Sequence, residues 1–180
     1  MVALLVVSTV AVLACAPGRA AEIASNGFLV RHELTIGAPA AKVYEALLGQ
    51  VGAWWNEQHT YSGDSRNLSI DPRPGGCFCE RLANGGVEHM RVVHLRQNQM
   101  VRMVGGLGPL QGSGVSGSMT WRLSPVEHGT RLELTYSVGG FMNGGFEGIA
   151  PAVERVLGEQ AARLKRFVET GTPASETKSR

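Results

Sequence analysis

The 180-residue sequence has no G-x-S-x-G elbow and no H-E-x-x-H pair, so the signatures of serine hydrolases and zinc proteases are both missing. Gly105-Gly106-Leu107-Gly108 lacks the Lys-Ser/Thr ending of a phosphate loop, and it links two predicted strands instead of opening a helix. No Lys/Arg cluster interleaves with aromatics, and the formal net charge is only +2, which argues against a nucleic-acid surface. Cysteine is scarce: Cys15, Cys77 and Cys79 do not make a disulfide framework. The one long apolar run, residues 2–16, falls short of the about 20 residues that cross a bilayer as a helix. No internal repeat appears.

What is present fits one globular domain, with 43% hydrophobic and 18% charged residues. The apolar run has the length of an export-signal core, and Gly18 and Ala20 supply small residues at −3 and −1 for cleavage before Ala21. Residues 1–20 therefore read as a signal peptide, 21–27 as a polar lead-in and 171–180 as a disordered tail. The expected location is the periplasm or the exterior. A lipid anchor at Cys15 is an alternative, although Leu13 sits where a small residue is preferred, and an uncleaved anchor is another. The remainder, roughly 145–150 residues, buries about 70% of its unfolded surface and needs no staple.

Residues 28–36 alternate as a strand. Pro39 opens a helix with Val43, Ala46 and Leu47 at helical spacing; Gly49 and Gly52 break it into a second short helix before Trp54-Trp55. Further strands are predicted over 67–71, 77–82, 87–96, 100–104, 115–123 and 130–138. In the last pair Met119, Trp121, Leu123, Leu132, Leu134 and Tyr136 share one face, the pattern of a sheet with one buried side. A glycine-rich link at 139–148, with Phe141, Met142 and Phe146, forms a lip before the longest helix. That helix, 150–169, has an apolar stripe that includes Val153, Val156, Leu157 and Leu164, and it is the natural cover for the buried face.

With those elements in order, the chain resembles the START-like helix-grip superfamily, SRPBCC. Within it the chain is most similar to homologues of the activator of the heat-shock-chaperone ATPase. The resemblance is carried by LTIGAPAAKVYEAL at 34–47, Trp54-Trp55, DPRPGGCF at 71–78 and GTRLELTY at 129–136, and covers residues 28–170. It implies an α+β fold in which a curved seven-stranded antiparallel sheet wraps a long C-terminal helix, with two short helices after the first strand. It also implies an internal apolar cavity of the kind that binds lipids or polyketides, sometimes with cyclase or hydratase activity. An exported chain would not meet a cytosolic chaperone, so that partner is not expected.

The stretch PGGCFCERLANGGVEHM at 74–90 holds the chemistry. Cys77 and Cys79 share a face of a strand. Their leading reading is two small buried apolar side chains. A C-x-C spacing is short for zinc, which leaves Cys77, Cys79 and His94 as weak metal candidates. In regular extended backbone the two Cα atoms stand too far apart for a comfortable disulfide, but a bulge after Gly75-Gly76 relieves that. A turn at Asn84-Gly85 sets Glu80 opposite His89. The two are either a solvent-side pair or, in a cavity, an acid–base pair, with Arg91 beside them to clamp a ligand carboxylate. One of Trp54 and Trp55 packs as core, and the other joins His59 and Tyr61 at a cavity entrance. His32 and His128 read as surface residues.

The leading functional expectation is an exported protein that binds a small apolar or amphipathic molecule without a cofactor. Trp54, Trp55, His59, Tyr61, Met119, Trp121, Tyr136, Phe141 and Phe146 supply contact surface, and Glu80, His89 and Arg91 orient a polar end. The alternatives are a cyclase or hydratase using Glu80 and His89, and a protein-interaction module of the cell envelope. Ligand identity and oligomeric state stay open.

Overall fold

The alternating residues of the last two strands set the inner face of the sheet. In the computed structural model, which describes residues 20–174, Trp121 pairs with Leu134, Met119 with Tyr136 and Leu123 with Leu132. All six are buried, as the period-two pattern requires. The expected leader, except its last residue Ala20, and all but the start of the expected tail lie outside the described residues, and Cys15 with them.

The chain runs β1 (Glu22–Ala24), β2 (Gly27–Ile36), α1 (Ala40–Gly49), α2 (Val51–Trp54), β3 (Leu68–Ile70), β4 (Cys77–Leu82), β5 (Gly85–Arg96), β6 (Met100–Gly105), β7 (Gly114–Val126), β8 (Gly129–Phe141) and α3 (Ala150–Thr170). One antiparallel sheet takes the order β1-β2-β8-β7-β6-β5-β4-β3. All seven expected strands and three expected helices are there. The eighth strand, β1, falls in the polar lead-in, for which no strand was expected. All three of its side chains are exposed, so it writes no hydrophobic pattern; it is held by pairing with β2.

The long helix α3 lies against the inner face. Leu157, Ala161, Leu164 and Val168 are buried, and Gly171 ends the helix in the left-handed conformation with its N–H donated to Phe167 O. His32 lies on this face too, where its pairing with Leu134 puts it. It is not the surface residue expected: its Nε2–H donates to Glu154 O at 3.0 Å, and the ring sits so close to Gly158 that a Cβ there would come within 2.7 Å of it. His128 is exposed.

The β4–β5 hairpin departs from its expected register. The turn is one residue earlier, with Leu82 opposite Gly85, so Glu80 pairs with Val87 and Cys79 with Glu88. Between Phe78 and Cys79 the register then shifts, because Phe78 pairs with Met90 and His89 is the extra residue of a bulge. The bulge lets both His89 and Met90 be buried, which strict alternation forbids.

At the same place the reading of the cysteines as two inert buried side chains is overturned. Cys77 and Cys79 form a disulfide across a Cα–Cα distance of 5.3 Å, inside bridging range.

Candidate ligand cavity and the buried Glu80–His89 pair

The sheet and helix do not meet evenly. Under β2, β7 and β8 the space is filled, with Trp121, Tyr136, Met119, Leu132 and Leu134 all essentially inaccessible. Trp54 belongs to this filled half. Its indole N–H donates to Ala46 O at 2.9 Å and its ring meets Trp121 edge-on. Under β3, β4 and β5 the helix stands off the sheet and leaves a cavity of about 320 Å³.

Four parts of the chain wall this cavity. The first half of α3 supplies Ala152, Val153, Val156 and Leu157, preceded by Ile149. The sheet supplies Leu68, Phe78 and His89. The segment after α2 supplies Trp55 and residues 58–61. Leu107, Gly108 and Pro109 form a roof.

Each wall is held by identifiable bonds. Trp55 donates its indole N–H to His59 O at 3.1 Å and packs edge-on against Phe78. The following segment is tied to α3 because Asn56 N–H donates to Gln160 Oε1 and Arg163 Nε–H to Trp54 O. Tyr136 fixes the roof from beneath: its hydroxyl donates to Gly105 O at 2.9 Å and accepts Leu107 N–H at 3.0 Å. Burial pushes that phenol up to about 12, so it stays a neutral donor.

The polar end of the cavity is the Glu80–His89 pair, buried with 1% and 4% exposure. The solvent-side alternative is thereby ruled out for this pair. His89 Nε2 lies 3.0 Å from Glu80 Oε2. The loop over β4 brings Tyr61 N–H to Oε2 at 3.1 Å and Ser62 N–H to Oε1. Burial pushes the Glu80 carboxyl up, but the bonds from Ser62, Tyr61 and His89 together outweigh it and hold the group below its ordinary range. Burial pushes the His89 imidazole down, against the opposing pull of Glu80. At neutral pH the arrangement is therefore a carboxylate receiving three donors beside an uncharged ring. Tyr61 stacks on that ring at 5.9 Å and Phe78 leans against it at 5.2 Å.

Of the residues expected to contact a ligand, the structure gathers Trp55, His59, Tyr61 and His89 at the cavity. Glu80 stands one bond behind it. Trp54, Met119, Trp121 and Tyr136 are core, and Phe146 is buried against Phe28. Phe141 is 76% exposed and does not reach the cavity, so the 139–148 link contributes no lining residue. Arg91 is exposed on the outer face, where its guanidinium bonds Glu88 and Gly75 O; it cannot clamp anything inside. Cys77 and Cys79 are bonded to each other and offer no thiolate, and His94 is exposed. Among the described residues no three His, Cys, Asp or Glu converge as a metal site. Leu68, Phe78, Leu107, Ile149, Val153 and Val156 went unexpected as wall residues. The helical stripe marked the two valines as buried, but a stripe does not say whether it meets protein or space.

An antiparallel sheet closed by one long terminal helix, with an apolar hollow between them, defines a helix-grip protein of the ligand-binding kind. The chain belongs to the family of polyketide cyclases, dehydrases and lipid-transport proteins, whose pattern matches residues 28–169. The fold is similar to the Aha1 dimer of Colwellia psychrerythraea, with 21% identity over 79% of this chain and 97% of that one and a TM-score of 0.57. It is also similar to an uncharacterized protein of Rhizobium leguminosarum, with 19% identity, coverage of 83% and 97%, and a TM-score of 0.60. DynU16, from the dynemicin biosynthetic locus, shares 19% identity over 81% of this chain and 48% of its own, with a TM-score of 0.56. No curated protein matches the chain in sequence.

Proposed function

We propose that this protein is exported and binds an apolar or amphipathic small molecule between α3 and strands β3–β5. The observation that carries the reading is the cavity itself: about 320 Å³, walled by Trp55, Phe78, Leu107, Ile149, Val153 and Val156, with one buried polar pair at its end. That volume is at the small end of ligand sites. An apolar cavity of about 150 Å³ takes one benzene, so this one suits roughly two fused rings or a short acyl chain better than a whole diacyl lipid. The family supports a ligand of this general kind. The apolar leader supports export, as does the Cys77–Cys79 disulfide, because such bonds persist in oxidising compartments. Among the described residues no helix is long and apolar enough to cross a membrane.

A second reading, catalysis of the cyclase or hydratase type, is favoured by the buried His89 beside Glu80, since a neutral imidazole held by a carboxylate is a competent general base. The interaction-module reading has less behind it. Among the described residues the exposed large hydrophobic side chains Ile23, Val93, Val126 and Phe141 are distributed over β1, β5, β7 and β8, and Tyr61 lies in the segment at the cavity.

Native mass spectrometry of the purified chain, followed by extraction, tests the proposal. A co-purified small apolar mass is expected, and Val153→Phe, which fills the hollow, is expected to lose it while remaining folded. If the wild type carries nothing and takes up no apolar probe, the binding reading fails. Turnover of a bound compound that stops in His89→Gln would favour the enzyme.

A further inference from the structure

We infer that the ligand of this cavity carries a hydrogen-bond donor, a phenol, alcohol or N–H on an apolar frame, and that His89 Nδ1 receives it. This rests on the cavity reading above and narrows it to a chemical class.

The argument runs through the direction of each bond. Both Glu80 oxygens accept backbone N–H groups, from Tyr61 and from Ser62. A backbone N–H can only donate, so this cradle holds a carboxylate. A carboxylate can only accept, so the His89 Nε2 that faces it carries the ring hydrogen. In an uncharged ring Nδ1 is then a bare lone pair. That atom is buried and has no partner within the protein. Tyr61 and Phe78 pack against the ring and fix its orientation. His89 lines the cavity, and a buried acceptor left without a donor is costly.

The same geometry says what the cavity rejects. No Lys or Arg is among the residues that line it. Arg91 points away and is engaged by Glu88. A ligand carboxylate would meet a lone pair, with the Glu80 charge behind it, and nothing positive to offset either. An ether or a plain hydrocarbon would fill the space but leave Nδ1 unsatisfied. Thr60 Oγ1 and the His59 ring keep acceptor lone pairs as well, but both bond on the exposed side of the segment after α2, where water satisfies them, whereas His89 Nδ1 is buried and has no partner within the protein.

Three matched two-ring probes decide the matter by calorimetric titration of the whole chain at pH 7.5. 2-Naphthol is expected to bind about tenfold more tightly than 2-methoxynaphthalene, the difference of one buried hydrogen bond made or left unmade. 2-Naphthoate is expected to bind more weakly than either. Equal affinities, or a preference for the naphthoate, would overturn the donor inference and leave the cavity reading standing. Failure of all three to bind would overturn both. An independent check needs no ligand: in the ¹⁵N spectrum of labelled histidine, the free protein should show His89 protonated at Nε2 and bare at Nδ1. The Nδ1 resonance should move with 2-naphthol and not with its methyl ether. The opposite tautomer would end the proposal.

Discussion

Replacing Glu80 by Gln leaves size and shape nearly unchanged and alters only what the two terminal atoms can do. The carboxylate receives three donors: Ser62 N–H, Tyr61 N–H and His89 Nε2–H. An amide offers one oxygen and one NH₂. If its oxygen keeps Ser62, the NH₂ must face Tyr61 N–H, donor against donor. One buried N–H is then left unmade, at about 1–3 kcal/mol. The surviving bonds lose their charge assistance, which adds on the order of 1 kcal/mol. The expected loss is about 2–4 kcal/mol, against a typical total of about 5–15 kcal/mol, so the variant should fold but be clearly weakened. Urea denaturation at pH 7.5 measures it as a lower midpoint at unchanged slope. A loss below about 0.5 kcal/mol would show that the cradle does not hold a carboxylate and would undo the bond directions argued for His89.

Acid should weaken the fold in two stages. The folded protein holds His89 neutral, so below about pH 6.5 the unfolded chain binds that proton first and stability falls as pH falls toward the depressed folded value. Glu80 is also depressed, so its contribution is present above its unfolded value of 4.5 and is lost as pH falls below it toward the lower folded value; a urea midpoint that stays flat from about pH 7.5 to 5 would contradict the first stage, and one flat from about pH 5 to 3 the second. Cys77 and Cys79 close a loop of only three residues, so the double Ser variant is expected to lose about 1–2 kcal/mol, and alkylation with mass spectrometry should find the two thiols only after reduction. Leu157→Ala, at a fully buried position of α3 beside the cavity, should cost about 2–5 kcal/mol in thermal or urea unfolding and enlarge the space for bulkier probes.

The fold was largely legible because its signals are local. Alternation in Thr130 to Tyr136 and the helical stripe through Leu157 and Leu164 each state a periodicity and a buried face within one segment. The site was legible only in part. Trp55, His59, Tyr61 and His89 were marked by residue type, and the structure gathers them. Trp121 and Tyr136 looked just as suitable for a ligand, yet they meet other side chains instead of space. Periodicity tells a residue to leave water; it does not say what it will touch.

By itself, the sequence determined an antiparallel sheet with one apolar side, two broken helices after the first long strand, and a terminal helix able to cover that side. Only the tertiary structure decided where the cover stands off to leave a hollow. It alone set the early turn and the bulge at His89, buried the Glu80–His89 pair, and closed the bond between Cys77 and Cys79. The physical reason is range: strand and helix periods are fixed by neighbours a few residues away, whereas a register shift and an unfilled volume depend on the packing of segments as distant as residues 55, 89 and 153.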